Sequence, residues 1–162
     1  MTRDSVPLDA EHLGAYFALM EASSLLQRAV EKQLRTDGGL SYVQFQILAR
    51  LGDAPGGQLR MTDLADSVVY SRSGLTYQAG QLDRAGLVTR TGGQDDERCV
   101  VVTITAAGRA LVARVLPGHV EIVQQLLFLP LNSRDVTTLC RVLSRIRDHI
   151  RAAPPRSADT RS

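Results

Sequence analysis

Residues 61–88 read MTDLADSVVYSRSGLTYQAGQLDRAGLV, and this stretch decides the fold. Thr62 is a good N-cap for a short helix over residues 63–68, and Ser71 is a good N-cap for a longer helix that ends near Gly86. Only a short turn separates the two helices. Two helices joined in this way match the helix-turn-helix plan.

A β-hairpin is predicted directly after these helices. Residues 87–91 and 99–104 are both prone to form strands, and the second segment contains the run VVVTI at residues 100–104. The polar segment 92–98 between them is typical of a flexible hairpin tip. A hairpin in this position is the wing of a winged helix-turn-helix domain.

Long helices are predicted on both sides of this core. Apolar residues recur at helical spacing over residues 9–35 and 41–51, and Thr105 is a good N-cap for a helix after the hairpin. The last helix, residues 133–151, carries apolar residues at steps of three and four, which is a heptad seam suited to packing against a partner chain. The seam consists of Val136, Leu139, Leu143, Ile146 and Ile150.

These elements predict a mostly α-helical fold with a small β-hairpin wing. We expect one domain over residues 1–152, with a winged helix-turn-helix core at about 41–105 and flanking helices at about 9–35 and 106–151. Residues 153–162 contain two prolines and are predicted to form a disordered tail.

Composition excludes several classes of protein. The chain of 162 residues has a net charge of +2 and contains no apolar run of the ~20 residues that a membrane-spanning helix needs. Residues 1–11 do not resemble a secretory signal, so we expect a cytoplasmic protein with no membrane partner. Cys99 and Cys140 have no metal-ligand spacing and are expected to be reduced, buried thiols with structural roles.

The sequence contains no enzyme motif. His12, His119 and His149 lie in separate predicted helices without the spacing of metal ligands. No nucleophile elbow, phosphate-binding loop or paired-carboxylate motif is present. We therefore expect no enzymatic activity, no cofactor and no bound metal.

Three segments, taken in order, resemble the MarR family of transcriptional regulators. Residues 61–66 resemble the first helix of the family's motif, and residues 71–88 resemble its recognition helix and the exit into the wing. Asp96-Glu97-Arg98, followed by VTITAAG at residues 102–108, resembles the family's wing signature. The resemblance covers roughly residues 11–150. It implies a homodimer whose terminal helices interlock and whose two winged lobes bind a pseudo-palindromic site in double-stranded DNA.

The recognition helix offers side chains that are suited to DNA. Arg72 lies near its N-terminus, where helix-turn-helix proteins reach base edges, while Ser73, Thr76 and Tyr77 lie on one helical face. The same side chains are also compatible with the solvated face of an ordinary surface helix. We expect groove or phosphate contacts from Ser71, Arg72, Ser73, Thr76, Tyr77 and Gln78.

The tip of the wing is the second candidate for DNA contact. In the MarR family the residue that matches Arg98 enters the minor groove, where narrow segments concentrate negative potential. The resemblance implies this role for Arg98, with Asp96 holding it through a salt bridge; the alternative is an exposed ion pair without function. Charges from Ser71 to Arg98 cancel, because four arginines stand against four acidic residues. That balance predicts modest non-specific affinity.

The resemblance also implies a small aromatic or phenolic effector that can release the protein from DNA. Packing in a core is the alternative for the apolar candidates, because apolar residues at helical spacing mostly belong to a core. A winged dimer that binds a small molecule or a protein without specific DNA binding is the alternative function, since the local charge balance is neutral. The candidate effector contacts are His12, Tyr16, Met20, Phe45 and Tyr70.

Overall fold

The computed structural model describes residues 7–68, 71–92 and 99–152. The mostly helical fold with a winged hairpin that the sequence predicts is confirmed. A 3-10 turn, Pro55–Gly57, precedes the first strand, and a π-helical turn, Gln124–Phe128, follows the fifth helix. The helices and strands are α1 Ala10–Gly38, α2 Tyr42–Asp53, β1 Gln58–Arg60, α3 Met61–Ser67, α4 Arg72–Arg84, β2 Val88–Thr91, β3 Val101–Ile104, α5 Ala106–Val123 and α6 Ser133–Ala152.

The described chain forms two compact units. One extends through Val123 and contains α1 to α5 with the sheet, and the other begins at Gln124 and contains α6. The predicted turn at residues 69–70 and the predicted tail at 153–162 lie outside the described residues. The single domain over residues 1–152 stays a prediction.

Side-chain caps fix where the first two helices begin, and a glycine ends the first. Asp9 accepts a hydrogen bond from the backbone N–H of His12 at the start of α1, and Gly39, in the left-handed region at φ 65°, ends this helix. α1 therefore runs three residues past the predicted end at residue 35. Ser41 and Gln44 form a reciprocal capping box at the start of α2.

One hydrophobic core holds the first unit together. Helices α1, α2 and α5 pack against one another, and α2 also contacts α3, α4 and the sheet. Each large apolar side chain that is fully buried contributes about 1.5–3 kcal/mol relative to exposure. The core consists of Val30, Leu34, Leu40, Phe45, Ile47, Leu48, Leu51, Met61, Leu64, Val68, Leu75, Ala79, Leu82, Val88, Val100, Val102, Ile104 and Val115.

The sheet has three antiparallel strands in the order β1-β3-β2, whereas the sequence predicts only the hairpin. β1 pairs with β3 so that Leu59 lies opposite Val102, and β2 pairs with β3 so that Thr89 lies opposite Thr103. A three-residue strand is too short to show the alternation that identifies strands. Its partner is also distant in sequence, so the prediction missed it.

The start of α3 corrects a predicted cap. Thr62 lies inside the helix, and Arg60 occupies the N-cap position without a side-chain hydrogen bond. The cause is β1, which runs directly into α3: the backbone N–H of Met61 donates to the carbonyl of Val100 at 2.8 Å. The sheet therefore satisfies one of the first backbone N–H groups of α3, which have no partner within the helix.

The second unit is essentially one amphipathic helix. Asn132 caps α6, because its side-chain oxygen accepts from the backbone N–H groups of Arg134 and Asp135 at 2.9 and 3.1 Å. The Asp135 carboxylate in turn accepts from the N–H of Asn132 at 3.0 Å. This reciprocal cap fixes where the helix begins.

Candidate nucleic-acid interface and ligand cavity

One apolar stripe anchors α4 in the first unit. Leu75, Ala79 and Leu82 follow helical spacing and are buried, and the helix contacts α2, α3 and β2. The opposite face of α4 is consequently directed outward. Because the stripe is anchored in the core, the polar face is held in a fixed orientation.

The N-terminus of α4 is capped and open to solvent. The Ser71 hydroxyl accepts from the backbone N–H of Gly74 at 3.2 Å, and Ser71, Arg72 and Ser73 are all exposed. The first backbone N–H groups of a helix have no partner within it, and they carry the positive end of the helix dipole. This end of α4 can therefore accept an anion such as a backbone phosphate.

The predicted recognition-helix residues lie at the start of α4, and none of them belongs to its buried stripe. Arg72 and Tyr77 are exposed, and Thr76 and Gln78 are half-buried. The Thr76 hydroxyl donates to the carbonyl of Arg72 at 3.0 Å, so its methyl group and a lone pair remain for a ligand. Gln81 donates to the Tyr77 hydroxyl oxygen at 2.6 Å, which fixes the ring and leaves its O–H free to donate.

Arg90 on β2 is a further candidate for contact with DNA, and the sequence did not predict it. Its Nη1 lies 3.6 Å from the position that a Cβ at Gly80 on α4 would occupy, and its Nε is buried without a hydrogen-bond partner in the described part of the chain. Strand alternation places Arg90 on the same side of β2 as the buried Val88, which predicts its packing beside α4 but not a contact with a ligand.

Thr105 fixes the base of the wing to the loop after α4. Its hydroxyl donates to the carbonyl of Gly86 at 2.7 Å and accepts from the backbone N–H of Gly108 at 3.1 Å. Its own N–H donates to the carbonyl of Leu87 at 3.0 Å. The predicted cap at Thr105 is confirmed. A Cβ at Gly108 would overlap the Leu87 carbonyl oxygen, which explains a glycine here.

The predicted wing-tip pair, Asp96 and Arg98, lies outside the described residues. Within the described parts of α4 and β2, three arginines stand against one carboxylate, so the local charge is positive. The charge cancellation seen in the sequence therefore depends on the acidic residues of the hairpin tip. The three arginines on α4 and β2 are Arg72, Arg84 and Arg90, and the carboxylate is that of Asp83.

The predicted effector contacts on α1 lie on its exposed N-terminal half. His12 donates its backbone N–H to Asp9 at 2.8 Å, and its Nδ1 lies 2.7 Å from the same carboxylate oxygen. The backbone hydrogen bond from His12, followed by the side-chain one, lowers the pKa of Asp9 below its usual value. Tyr16 and Met20 are about half exposed. Tyr70 lies outside the described residues.

A cavity of about 320 Å³ lies between α1, α2 and α5. Phe45 is buried behind it, with its ring centroid 4.7 Å from that of His119. None of the predicted contacts lines this cavity, because its walls come from three helices whose proximity is set by tertiary packing. The lining residues are Ser23, Leu26, Gln27, Val30, Tyr42, His119 and Val123.

His119 has an unsatisfied ring nitrogen. Its Nδ1 is buried and has no hydrogen-bond partner among the described residues. Burial lowers the pKa of His119 below its ordinary value, so the imidazole is neutral near pH 7. A buried polar atom without a partner costs free energy.

Most of the predicted seam on α6 is exposed in the described part of the chain. Val136, Leu143, Ile146 and Ile150 are exposed, Leu139 is half-buried, and α6 contains no fully buried residue. Cys140, beside this seam, is exposed, and so is Cys99 at the wing. The expectation that both thiols are buried is wrong, because α6 has no covering layer and Cys99 precedes the first paired residue of β3.

The described residues contain no group of three or more His, Cys, Asp or Glu side chains that could hold a metal ion. Within the same ranges, every helix is too short or too polar to span a bilayer.

Comparisons with known proteins agree on one family. Residues 38–98 match the MarR family model. The chain is 30% identical over 145 residues to the HTH-type transcriptional regulator PecS of Dickeya dadantii (strain 3937), across 88% of this chain and 86% of PecS. It is 30% identical over 112 residues to the HTH-type transcriptional repressor YetL of Bacillus subtilis (strain 168), across 69% of this chain and 66% of YetL.

A solved structure is similar over nearly the whole length. Sco3205, a MarR family transcriptional regulator from Streptomyces coelicolor in complex with DNA, has a TM-score of 0.85 at 28% identity. The match covers 98% of this chain and 97% of that chain.

Proposed function

The chain belongs to the MarR family of transcriptional regulators, and on this basis we propose that it binds a pseudo-palindromic operator in double-stranded DNA as a homodimer. The observation that carries the proposal is α4, whose apolar stripe is buried in the first unit while its polar face is directed outward. Similarity to a regulator solved with DNA supports the same assignment.

The chemistry of α4 suits the major groove. The Arg72 guanidinium can donate two parallel hydrogen bonds to a guanine edge, and the Thr76 methyl group can contact a thymine methyl. The backbone N–H groups at the start of the helix can hold a phosphate, which fixes the register. We assign Arg98 to the minor groove on the resemblance alone, with Asp96 as its orienting partner.

We assign the seam on α6 to the interface with the second copy of the chain. A helix of 20 residues is about 30 Å long, and the heptad spacing of its exposed apolar residues suits antiparallel or crossed packing against an identical helix. Two lobes related by two-fold symmetry would present their α4 helices to half-sites about one DNA turn apart.

The cavity between α1, α2 and α5 is assigned to a small effector. It is formed by α1 and α5 together with α2 of the winged core, so a ligand there can bias the position of the lobe relative to α1. An effector that binds one position of the lobe more tightly than another shifts the population toward that position. The ratio of its two affinities limits how far it can change the affinity for the operator. The role proposed here is binding without catalysis, in the cytoplasm, where the DNA lies.

Selection of bound fragments from random DNA tests the proposal. We expect enrichment of an inverted repeat. In fluorescence anisotropy on that repeat, Arg72→Ala should lose about 10- to 100-fold in affinity, as expected for a base-reading arginine. Arg98→Ala should lose affinity and weaken any preference for A·T-rich flanks.

Arg114→Ala is the matched control, because Arg114 is an exposed arginine on α5, which packs against α1 and α2. It should bind like the wild type. Failure of a folded dimer to enrich any sequence at low salt would overturn the proposal. That result would favour a winged dimer that binds a small molecule or protein without specific DNA binding.

A further inference from the structure

Tyr77 lies at the centre of the face of α4 that is opposite its buried stripe. It is two residues from Leu75 and two from Ala79, and at about 100° per residue this spacing directs its side chain away from both. Tyr77 is accordingly 59% exposed. The phenol is therefore accessible to any ligand that contacts this face of the helix.

The surroundings of the Tyr77 ring are open and positively charged. Gly74 and Gly80, three residues before and after Tyr77, have no side chains that could cover the ring. Nη1 of Arg90 lies 3.6 Å from the position that a Cβ at Gly80 would occupy, so a cation is held beside this face. An exposed phenol next to a cation suits an electronegative ligand, such as the acceptor edge of a base pair.

Gln81, one helical turn after Tyr77, sets the polarity of the phenol. Its Nε2 donates to the Tyr77 hydroxyl oxygen at 2.6 Å. In a phenol, the O–H and the lone pair that accepts most strongly lie in the ring plane on opposite sides of the C–O bond. A donor that occupies the lone pair therefore turns the O–H to the other side, and the group left for a ligand is a donor.

We propose that Gln81 is a positioning residue that makes Tyr77 a hydrogen-bond donor toward the major groove, and that Tyr77 consequently selects a keto base, guanine or thymine, at one position of each half-site. The inference deepens the proposed operator binding and rests on it. The exocyclic oxygens of guanine and thymine accept in the major groove, whereas the exocyclic amino groups of adenine and cytosine donate. A phenol that only donates pairs with a keto oxygen and opposes an amino group.

Selection from random DNA, scored position by position, tests the preference. We expect the wild type to favour guanine or thymine over adenine or cytosine at one position of each half-site by about 5-fold, as expected for one net hydrogen bond. Tyr77→Phe removes only an exposed hydroxyl and should abolish this preference while the rest of the inverted repeat is still selected. An unchanged base preference in Tyr77→Phe would overturn the proposal. An equal loss of affinity for all sequences would also overturn it, because that result indicates a phosphate contact.

Variants of Gln81 test the positioning role. In Gln81→Glu the carboxylate only accepts, so the phenolic O–H turns toward it and the oxygen lone pair faces the groove. The preferred bases should change to adenine or cytosine. Gln81→Met has a similar length but neither donor nor charge, and it should lose most of the preference even if the glutamate variant binds too weakly to be selected. Retention of the full keto preference in either variant would overturn the role of Gln81.

Ala85→Glu is the control for charge. It adds the same carboxylate to an exposed residue at the end of α4, about 12 Å along the helix axis from Tyr77. It should weaken binding to all sequences by repelling phosphates and should keep the keto preference. A change of preferred base in Ala85→Glu would attribute the effect of Gln81→Glu to charge and would contradict the proposal.

The outcomes separate this inference from the proposed function. Failure of a folded wild-type dimer to enrich any sequence would remove the operator function and the inference with it. An inverted repeat without a keto preference, or with a preference for adenine or cytosine, would keep the operator function and overturn only the inference.

Discussion

The hydroxyl oxygen of Thr105 lies 2.7 Å from the carbonyl oxygen of Gly86, so the residue that begins α5 is tied to the turn that ends α4. The same hydroxyl accepts from the N–H of Gly108. One side chain thus caps α5 and holds the loop between α4 and the wing. The hydroxyl therefore links the start of α5 to the turn after α4.

Thr105→Val should therefore destabilise the protein by about 1–2 kcal/mol, because it removes a helix cap and leaves the Gly86 carbonyl without its donor. Thr105→Ser keeps the hydroxyl and should lose much less. Urea unfolding followed by circular dichroism measures both. Equal stability of the valine and serine variants would show that the hydroxyl contributes nothing.

Gly108→Ala should destabilise the protein by about 1–3 kcal/mol, since the added methyl group meets the Leu87 carbonyl oxygen and the Ile104 side chain. Gly52→Ala is the control: Gly52 is helical and its Cβ would meet nothing within 4 Å. This control should stay neutral or gain up to about 1 kcal/mol from helix propensity. Thermal or urea unfolding measures the stability of both variants. Equal stability of the two would contradict the tight packing at Gly108.

Arg90→Ala should weaken operator binding about equally for all sequences if its guanidinium contacts a phosphate. The slope of log affinity against log salt should then fall by about 1 for each phosphate that the variant leaves without its arginine, which is about 2 in a dimer. Anisotropy titrations from low to moderate salt measure this slope. Arg114→Ala should keep the wild-type slope, and an Arg90→Ala protein with that same slope would exclude the phosphate contact.

Leu143→Glu should convert the dimer to a monomer, because it places a charge in the apolar seam of α6. Thr137→Glu introduces the same charge on an exposed residue of α6 that helical spacing places away from the seam. Light scattering coupled to size exclusion gives the mass of each. A dimer of Leu143→Glu at micromolar concentration would place the interface elsewhere.

Stability should fall as pH drops below about 6.5, because burial lowers the pKa of His119 in the folded chain relative to the unfolded chain. In that window the unfolded state binds a proton that the folded state does not, which favours unfolding. The lowered pKa of Asp9 acts only below about pH 4, since its ordinary value is 3.8. Melting curves from pH 8 to pH 5 should show a smaller decline for His119→Phe than for the wild type; parallel declines would contradict this.

Local sequence patterns predicted the helices and the hairpin well, because caps and apolar spacing are local signals. Ser71 and Thr105 cap their helices as expected. Contacts between distant segments were not predictable in this way. Thr62 has good cap chemistry, but pairing of β1 with β3 starts α3 at Met61 instead.

The candidate sites differ in the same way: one is defined by local spacing and the other by contacts between distant segments. The DNA contacts predicted at residues 71–78 lie at the start of one helix, α4, so their spacing alone groups them. The cavity joins α1, α2 and α5, and no spacing rule connects Ser23 with His119. Phe45 is a predicted effector contact, but its contact with His119 arises only from tertiary packing.

Every residue that lines the cavity lies between Ser23 and Val123 of a single chain. A homodimer consequently contains two equivalent cavities, so the proposed effector would saturate at two molecules per dimer. If occupation of both is needed for release, the fraction of free operator rises with a Hill coefficient above one and at most two. Release from the operator would then be small at low effector concentration and would rise more steeply once both cavities of the dimer are occupied.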